Sequence, residues 1–379
     1  MGAGGTTDGS SRGPITLSDV AREAGVSIAT ASFVLSGRAG APSAGSPQTK
    51  AKVRAAAERL GYVPNRNAQA MRTGRGGGIV LALGVIADPW SVGLAEQVRA
   101  DALPHDLSTL ILADERWYEY ISGNAADCAF LTSIDFTDDG PEKVRRLSAS
   151  SHSGLVAFSA TMEPERFDVI RSSPHRAVRD AYRRLRARHD RVRLLAPDRL
   201  HLLGGTQVPQ RTQTFLDTAR EHGDGPAEDL VRTSLPGGRE SYRTSLEWLS
   251  APERPEAVIC YTGYQAVALQ AAAERLGLRQ PDDLEIISIG DVPAESQYYG
   301  SISYYGVQDV FVRISEVVVG RARDRSDRPG ELHTFDWEFF AGDTTRDPLP
   351  APEADPARGP DPAPDSARAS GPVPDSGSA

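Results

Sequence analysis

Between Ile15 and Arg75 the chain sets out short hydroxyl and apolar side chains at a spacing that can meet a DNA groove. In the run Ser27-Ile-Ala-Thr-Ala-Ser-Phe-Val-Leu35, helical periodicity turns Ala31, Val34 and Leu35 to one side and leaves Ile28, Ala29, Ser32 and Phe33 facing out. Outward residues of a helix lying in the major groove meet base edges; apolar ones pack on the thymine methyl group. The preceding residues supply the matching support. Thr16 can cap a helix that carries Val20, Ala21 and Ala24 at helical spacing, and Gly25 is the left-handed residue that ends it. Ser27 then caps the second helix. Helix, glycine turn and helix is the arrangement that lays a second helix into the groove. Ser46-Pro47 reads as the cap and first position of a third helix, with Val53, Ala56, Ala57 and Leu60 inward and Gly61 as its stop.

Charge points the same way. Through residue 78, ten basic residues oppose four acidic ones, a net of +6, in a chain whose total is -9, so the remainder carries -15. A basic head on an acidic body suits contact with phosphate at one end only. Charge alone would also fit a solvated three-helix module that binds protein, the lesser reading. The ordered motif string is what separates the two.

A chain of 379 residues at 39% hydrophobic composition can bury a sizeable core in two or three units. Apolar strand-like runs (79–86, 107–112, 128–131, 154–158, 192–195, 230–233, 257–261 and 284–289) alternate with amphipathic segments (92–103, 174–188, 210–222, 239–249 and 264–276). This predicts an α/β body of two lobes, with parallel sheets flanked by helices and a cleft at the carboxyl ends of the strands. Cys128 and Cys260 lie in such runs and read as buried thiols, which fits a reducing cytoplasm. No signal peptide or membrane-length apolar run is found, and no catalytic signature, metal-ligand spacing or cofactor motif. Gly74-Arg-Gly-Gly-Gly78 reads as a flexible joint, and residues 347–379 as a disordered acidic tail rich in Pro and Ala, with no partner expected.

The stretch from Thr16 to Gly74 resembles the DNA-binding headpiece of the lactose-repressor (LacI/GalR) family. That resemblance implies a transcription regulator, in which Thr16, Ser27, Thr30 and Ser32 contact phosphate and position the protein, while Ile28, Ala29 and Phe33 face the bases. The recognition helix departs from the family. Ile28 and Ala29 stand where many members have polar base-reading residues, and Phe33 replaces the usual Arg. Two readings stay open: an apolar code for thymine methyl groups, or Phe33 folded into the headpiece core with specificity lost. Asn65-Arg-Asn-Ala-Gln-Ala-Met71 resembles the hinge that folds on operator DNA. It implies a minor-groove wedge at Met71, where Leu is usual, with Asn65, Arg66 and Gln69 as its partners.

Over residues 79–345 the resemblance is weaker. It implies a periplasmic-binding-protein-like core that dimerises and takes a small molecule, often a sugar, in its cleft. Arg211, Phe215 and Ala219 fit the family's Arg-x-x-Gly-aromatic segment, with Thr214 in place of Gly. Trp90, Phe215 and Asp291 are the expected effector-lining residues, although Trp90 and Phe215 could equally be kept for packing. Val178 stands near the position of the Arg that clamps sugar hydroxyls, and Thr262-Gly263 replaces Asn-Asp, so an unusual effector or none is expected. The helix between Leu112 and Cys128 is expected to be short.

The resulting parse is a disordered N-terminus (1–14), a helix-turn-helix headpiece (15–62), a hinge helix and linker (63–78), a two-lobed effector-binding and dimerisation body (79–346) and the tail (347–379). The expected protein is a cytoplasmic homodimeric regulator, most simply a repressor, on a near-palindromic double-stranded operator. It is expected to be no enzyme and to use no cofactor, metal or membrane. The alternatives are a small-molecule-binding protein with a degenerate headpiece, a solute-binding protein of the same body fold, and an enzyme on that fold.

Overall fold

The computed structural model describes residues 15–35, 46–63, 76–84, 88–113, 116–132, 134–137, 139–150, 153–198, 210–290, 292, 300–324 and 328–346. The first three helices are α1 (Leu17–Ala24), α2 (Ile28–Leu35) and α3 (Pro47–Leu60). Gly25 and Gly61 end α1 and α3 at φ 67° and 64°, and Ser46 caps α3 with Pro47 in the first turn, as their sequence positions predict. Val20, Ala21, Ala31, Val34, Val53, Ala56 and Ala57 form a closed apolar core, packed around by Leu17, Val26, Leu35, Leu60 and Tyr62.

Further along, β1 (Gly78–Ala82), α4 (Pro89–Ala102), β2 (Ser108–Leu112), α5 (Trp117–Gly123), β3 (Cys128–Leu131), α6 (Gly140–Ser150), β4 (Gly154–Phe158) and β5 (Asp168–Arg171) follow in turn. Next come α7 (His175–Arg186), β6 (Arg193–Pro197), α8 (Gln210–Glu221), β7 (Val231–Ser234), α9 (Gly238–Leu249), β8 (Ala257–Cys260), α10 (Gly263–Arg275), β9 (Glu285–Ile289) and β10 (Ser303–Gly306). The chain closes with α11 (Val310–Arg323), β11 (Leu332–Thr334) and β12 (Glu338–Phe340).

The described residues form two compact units, one of those up to Ser173 with Val307–Asp336, the other of those in Pro174–Gly306 with those from Trp337 to Arg346. The first holds a six-stranded sheet in the order β11-β5-β4-β3-β1-β2, parallel throughout. In the second the order is β12-β10-β9-β8-β6-β7, and only the β10–β12 pair is antiparallel. The central strands are apolar along their whole length because helices cover both faces. β3, β8 and β9 are buried at every residue.

Several expectations need correction. β1 ends at Ala82 rather than Ile86, and Leu230 closes a helical turn, Ala227–Leu230, instead of opening a strand. β5, β10, β11 and β12 were not expected. Each is only three or four residues long, and β11 and β12 sit at sheet edges, where alternation is too short to read. The glycine run is no loose joint in its described part, since Gly76 packs its backbone on Ala125 and Ala126. The short α5, seven residues, agrees with expectation.

Candidate nucleic-acid interface and effector-binding region

At the start of α1, Thr16 donates from its backbone N–H and its hydroxyl to Asp19 Oδ2 (3.0 and 2.6 Å), and the Asp19 N–H donates back to Thr16 Oγ1 (3.4 Å). This reciprocal cap satisfies orphan N–H groups, and the hydroxyl bond from Thr16 holds the Asp19 carboxyl below its usual range. Ser27 does the same work for α2: its Oγ accepts the Thr30 N–H at 3.1 Å and meets the Thr30 hydroxyl at 2.8 Å. Three of the four expected phosphate contacts thus also hold helix ends. Arg59 Nη2 reaches Glu23 Oε1 at 3.0 Å and ties α3 to α1.

These contacts fix the outer face of α2. Ile28 is 53% exposed and Ala29 is exposed, while Thr30, Ser32 and Phe33 are half-buried. Phe33 lies outside the apolar core cluster of the headpiece. α3 adds a basic flank, with Lys52 and Arg54 exposed. Asn65, Arg66, Gln69, Met71 and Asp291 lie outside the described residues.

The effector expectations meet mixed outcomes. Trp90 opens α4, where Asp88 caps the helix by accepting the Trp90 N–H at 3.1 Å. Its ring lies 6.1 Å from Phe158, at the carboxyl end of β4, and 5.9 Å edge-on to Phe311, so it is half-buried in an aromatic cluster. Phe215 is fully buried, edge-on to Tyr182 at 5.4 Å, in the core that α7 and α8 share. It has no surface left for a ligand, so the lining expected of it is corrected to packing. Val178 is in the same core, 1% exposed, which explains why no guanidinium stands there.

One polar group, named from sequence only as part of a motif match and not as a site residue, converges on the strand ends of the second unit. Arg211 Nη1 donates to the carbonyls of Tyr261 (2.7 Å) and Ile289 (2.9 Å), just past β8 and at the end of β9. Its guanidinium also lies 5.0 Å from the Tyr261 ring and 5.1 Å from the Trp337 ring. The Arg-x-x-Gly-aromatic match was the available signal, but it drew attention to Phe215 instead. Both cysteine thiols are buried, and burial pushes them far up, away from any nucleophilic role. Among the described residues no group of His, Cys, Asp and Glu could hold a metal ion.

Residues 16–65 match the family described as bacterial regulatory proteins, lacI family, and residues 182–308 match the periplasmic binding protein-like domain. The chain thus carries a LacI-family helix-turn-helix region and a periplasmic-binding-protein-like domain. Its relatives include proteins named as HTH-type transcriptional regulators. The HTH-type transcriptional regulator AglR of Rhizobium meliloti (strain 1021) is 26% identical over 366 residues, spanning 89% of this chain and 98% of the relative. Catabolite control protein A of Staphylococcus aureus (strain MRSA252) is 23% identical over 302 residues, 73% of this chain and 82% of that protein. Among solved structures, a LacI-family regulator from Silicibacter pomeroyi has a TM-score of 0.69 at 17% identity, covering 88% of this chain and 100% of that one. The lac repressor dimer bound to operator and the anti-inducer ONPF has a TM-score of 0.62 at 20% identity, covering 88% and 99%. These last two support the fold: a helical headpiece and a two-lobed α/β body.

Proposed function

We propose that this protein is a homodimeric repressor of the LacI type that binds a near-palindromic double-stranded operator through Ile15 to Arg75. The observation that carries the reading is the capped helix pair whose second helix, α2, leaves Ile28 and Ala29 exposed and Ser32 and Phe33 half-buried. The structurally similar lac repressor is described as a dimer on operator. Exposed apolar residues of the first unit are what a dimer interface would cover. Val92 on α4, Leu103 just after it, and Leu110 and Ile111 on the edge strand β2 are 50%, 68%, 44% and 45% exposed, and α4 packs on β2. No helix among the described residues is long and apolar enough to cross a membrane.

Base reading rests on apolar contact with thymine methyl groups, and the cap-forming hydroxyls of Thr16, Ser27 and Thr30 position phosphate. Trp90 and Asp291 remain proposed effector-binding residues, and Arg211 is added to them. Common mono- and disaccharides are not its effectors, because Val178, Thr262 and Gly263 offer no clamp for a sugar hydroxyl. A second reading, a small-molecule-binding protein with a degenerate headpiece, draws on the same apolar α2 face. Genome-wide mapping of DNA bound by the native protein tests both. Discrete two-fold symmetric sites support the repressor, and uniform occupancy supports the alternative. Calorimetry that finds micromolar binding of a simple sugar would overturn the effector reading.

A further inference from the structure

At the amino edge of the first sheet the chain enters β1 through a seat that only bare backbone fits. The Ser108 N–H donates to Gly77 O (3.0 Å), the Gly78 N–H donates to Asp127 Oδ2 (2.8 Å), and the Asp127 N–H donates back to Gly78 O (2.7 Å). Asp127 is 2% exposed, and its own carbonyl accepts the Gly154 N–H at 3.0 Å. A Cβ on Gly76 would stand 2.3 Å from Ala125 O, one on Gly78 3.1 Å from Ser108 O, and one on Gly154 2.9 Å from Arg321 Cγ. Gly77 holds φ +68° in open space. The Asp127 carboxyl has its acceptor aimed at the Gly78 N–H, and burial keeps water from competing for that bond. The seat lies immediately after the segment that joins headpiece to body.

We propose that Asp127 is a positioning residue for DNA recognition. By fixing Gly76 to Gly78 it sets the point from which the DNA-binding segment leaves the body, and hence the separation at which two headpieces meet their half-sites. This rests on the reading above, in which two copies bind one operator. Two linked binding modules cooperate best when the tether matches the span between sites, and lose effective concentration when it lengthens. Release of three residues adds about 10 Å to each tether, comparable to about three base pairs of rise at 3.4 Å. An unseated protein should therefore accept several half-site spacings where the parent accepts one.

The full chain and its variants would be used to select duplexes from a random pool, with half-site spacing read from the enriched sequences. The parent and Asp127→Asn, which keeps an acceptor oxygen for the Gly78 N–H, should enrich one spacing. Asp127→Val should spread over about three spacings and bind the parent's site about ten-fold more weakly. If Asp127→Val does not fold, Gly77→Ala, which meets no neighbour and is opposed only by its φ, should broaden the spacing to a smaller degree. Met162→Ala, buried elsewhere in the same unit, weakens that unit without touching the seat and should leave the spacing unchanged. Without DNA, trypsin should cut after Arg75 about ten-fold faster in Asp127→Val than in the parent, because loss of the seat raises local opening. A folded Asp127→Val or Gly77→Ala that keeps a single spacing overturns the proposal. Asp127-dependent protection at Arg75 in a parent that selects no symmetric DNA overturns the operator reading, and the positioning role with it, but not the seat.

Discussion

The outer residues of α2 and the buried ion cluster of the second unit show how differently single side chains are constrained. Ile28 is half in water, so Ile28→Ala should change stability by less than about 0.5 kcal/mol. Under the proposed apolar code it should shift the preferred base at one operator position, by about 1–3 kcal/mol of discrimination. Selection experiments on parent and variant check this, and an unchanged preference would remove Ile28 from the interface. Glu285 is the opposite case. It is fully buried and receives Arg188 through Nε (3.0 Å) and Nη2, His189 Nε2 at 3.2 Å and Arg346 Nη1 at 3.3 Å. Burial pushes its carboxyl up, but the hydrogen bonds from His189 and Arg188 and the charge of Arg188 outweigh burial and bring it from 4.5 down to about 2. A depressed carboxyl stabilises the fold fully above its unfolded pKa and loses that contribution as pH falls through the folded one. Between about pH 5 and pH 2 the loss is about 3 kcal/mol, at about 1.4 kcal/mol per pKa unit. In urea titrations, Glu285→Gln should be less stable than the parent at pH 7, and the gap should close by about that amount toward pH 2. An unchanged gap would show that the cluster is not ionic. The Glu285 cluster was invisible in the sequence, because its members come from three segments with no motif between them.

At the scale of elements, what was legible is what is local. Thr16, Gly25, Ser46, Pro47 and Gly61 each announce a helix end by their own backbone chemistry, and each is found doing so. Ser46→Ala should therefore cost about 1 kcal/mol of headpiece stability, the usual worth of an N-cap, in thermal unfolding. A loss below about 0.3 kcal/mol would mean that Pro47 fixes the first turn unaided. The short strands β5 and β10 to β12 escaped because pairing partners, not residue pattern, make them strands. Gly76 escaped for a related reason: composition marks the run 74–78 as pliant, whereas the close approach to Ala125 is a tertiary fact. Gly76→Ala should destabilise the first unit by more than about 1 kcal/mol, since a 2.3 Å contact with backbone cannot be relieved by a side-chain rotation. Full stability in Gly76→Ala, measured by denaturant unfolding, would show that the seat opens at little cost.

The whole molecule couples a basic, locally encoded headpiece to an acidic body whose two sheets are assembled from distant segments. Its class was legible because the headpiece motif is continuous in sequence. The effector side was not: Phe215 and Val178 turn inward, while Arg211 reaches the strand ends through contacts with Tyr261, Ile289 and Trp337 that no spacing reveals. Under the proposed hinge, Met71→Ala should weaken binding and reduce DNA bending together, because a wedge that unstacks a base step is what holds the bend. Phe33→Ala should alter preference and leave the bend intact. A bending assay on the mapped operator separates these, and parental bending in Met71→Ala would reduce the hinge to a linker.

The central claim is that residues up to Arg75 carry DNA binding, and a salt titration tests it most directly. Affinity for the mapped operator would be followed from low to physiological salt for the full chain and for a chain beginning at Gly76. With ten basic residues against four acidic ones through residue 78, the full chain should lose about 10³ or more in affinity between 50 and 200 mM salt, with a log–log slope of about -0.9 per phosphate contacted. The shortened chain should not bind at any salt concentration. Equal binding by both chains, or a slope near zero, would contradict the account.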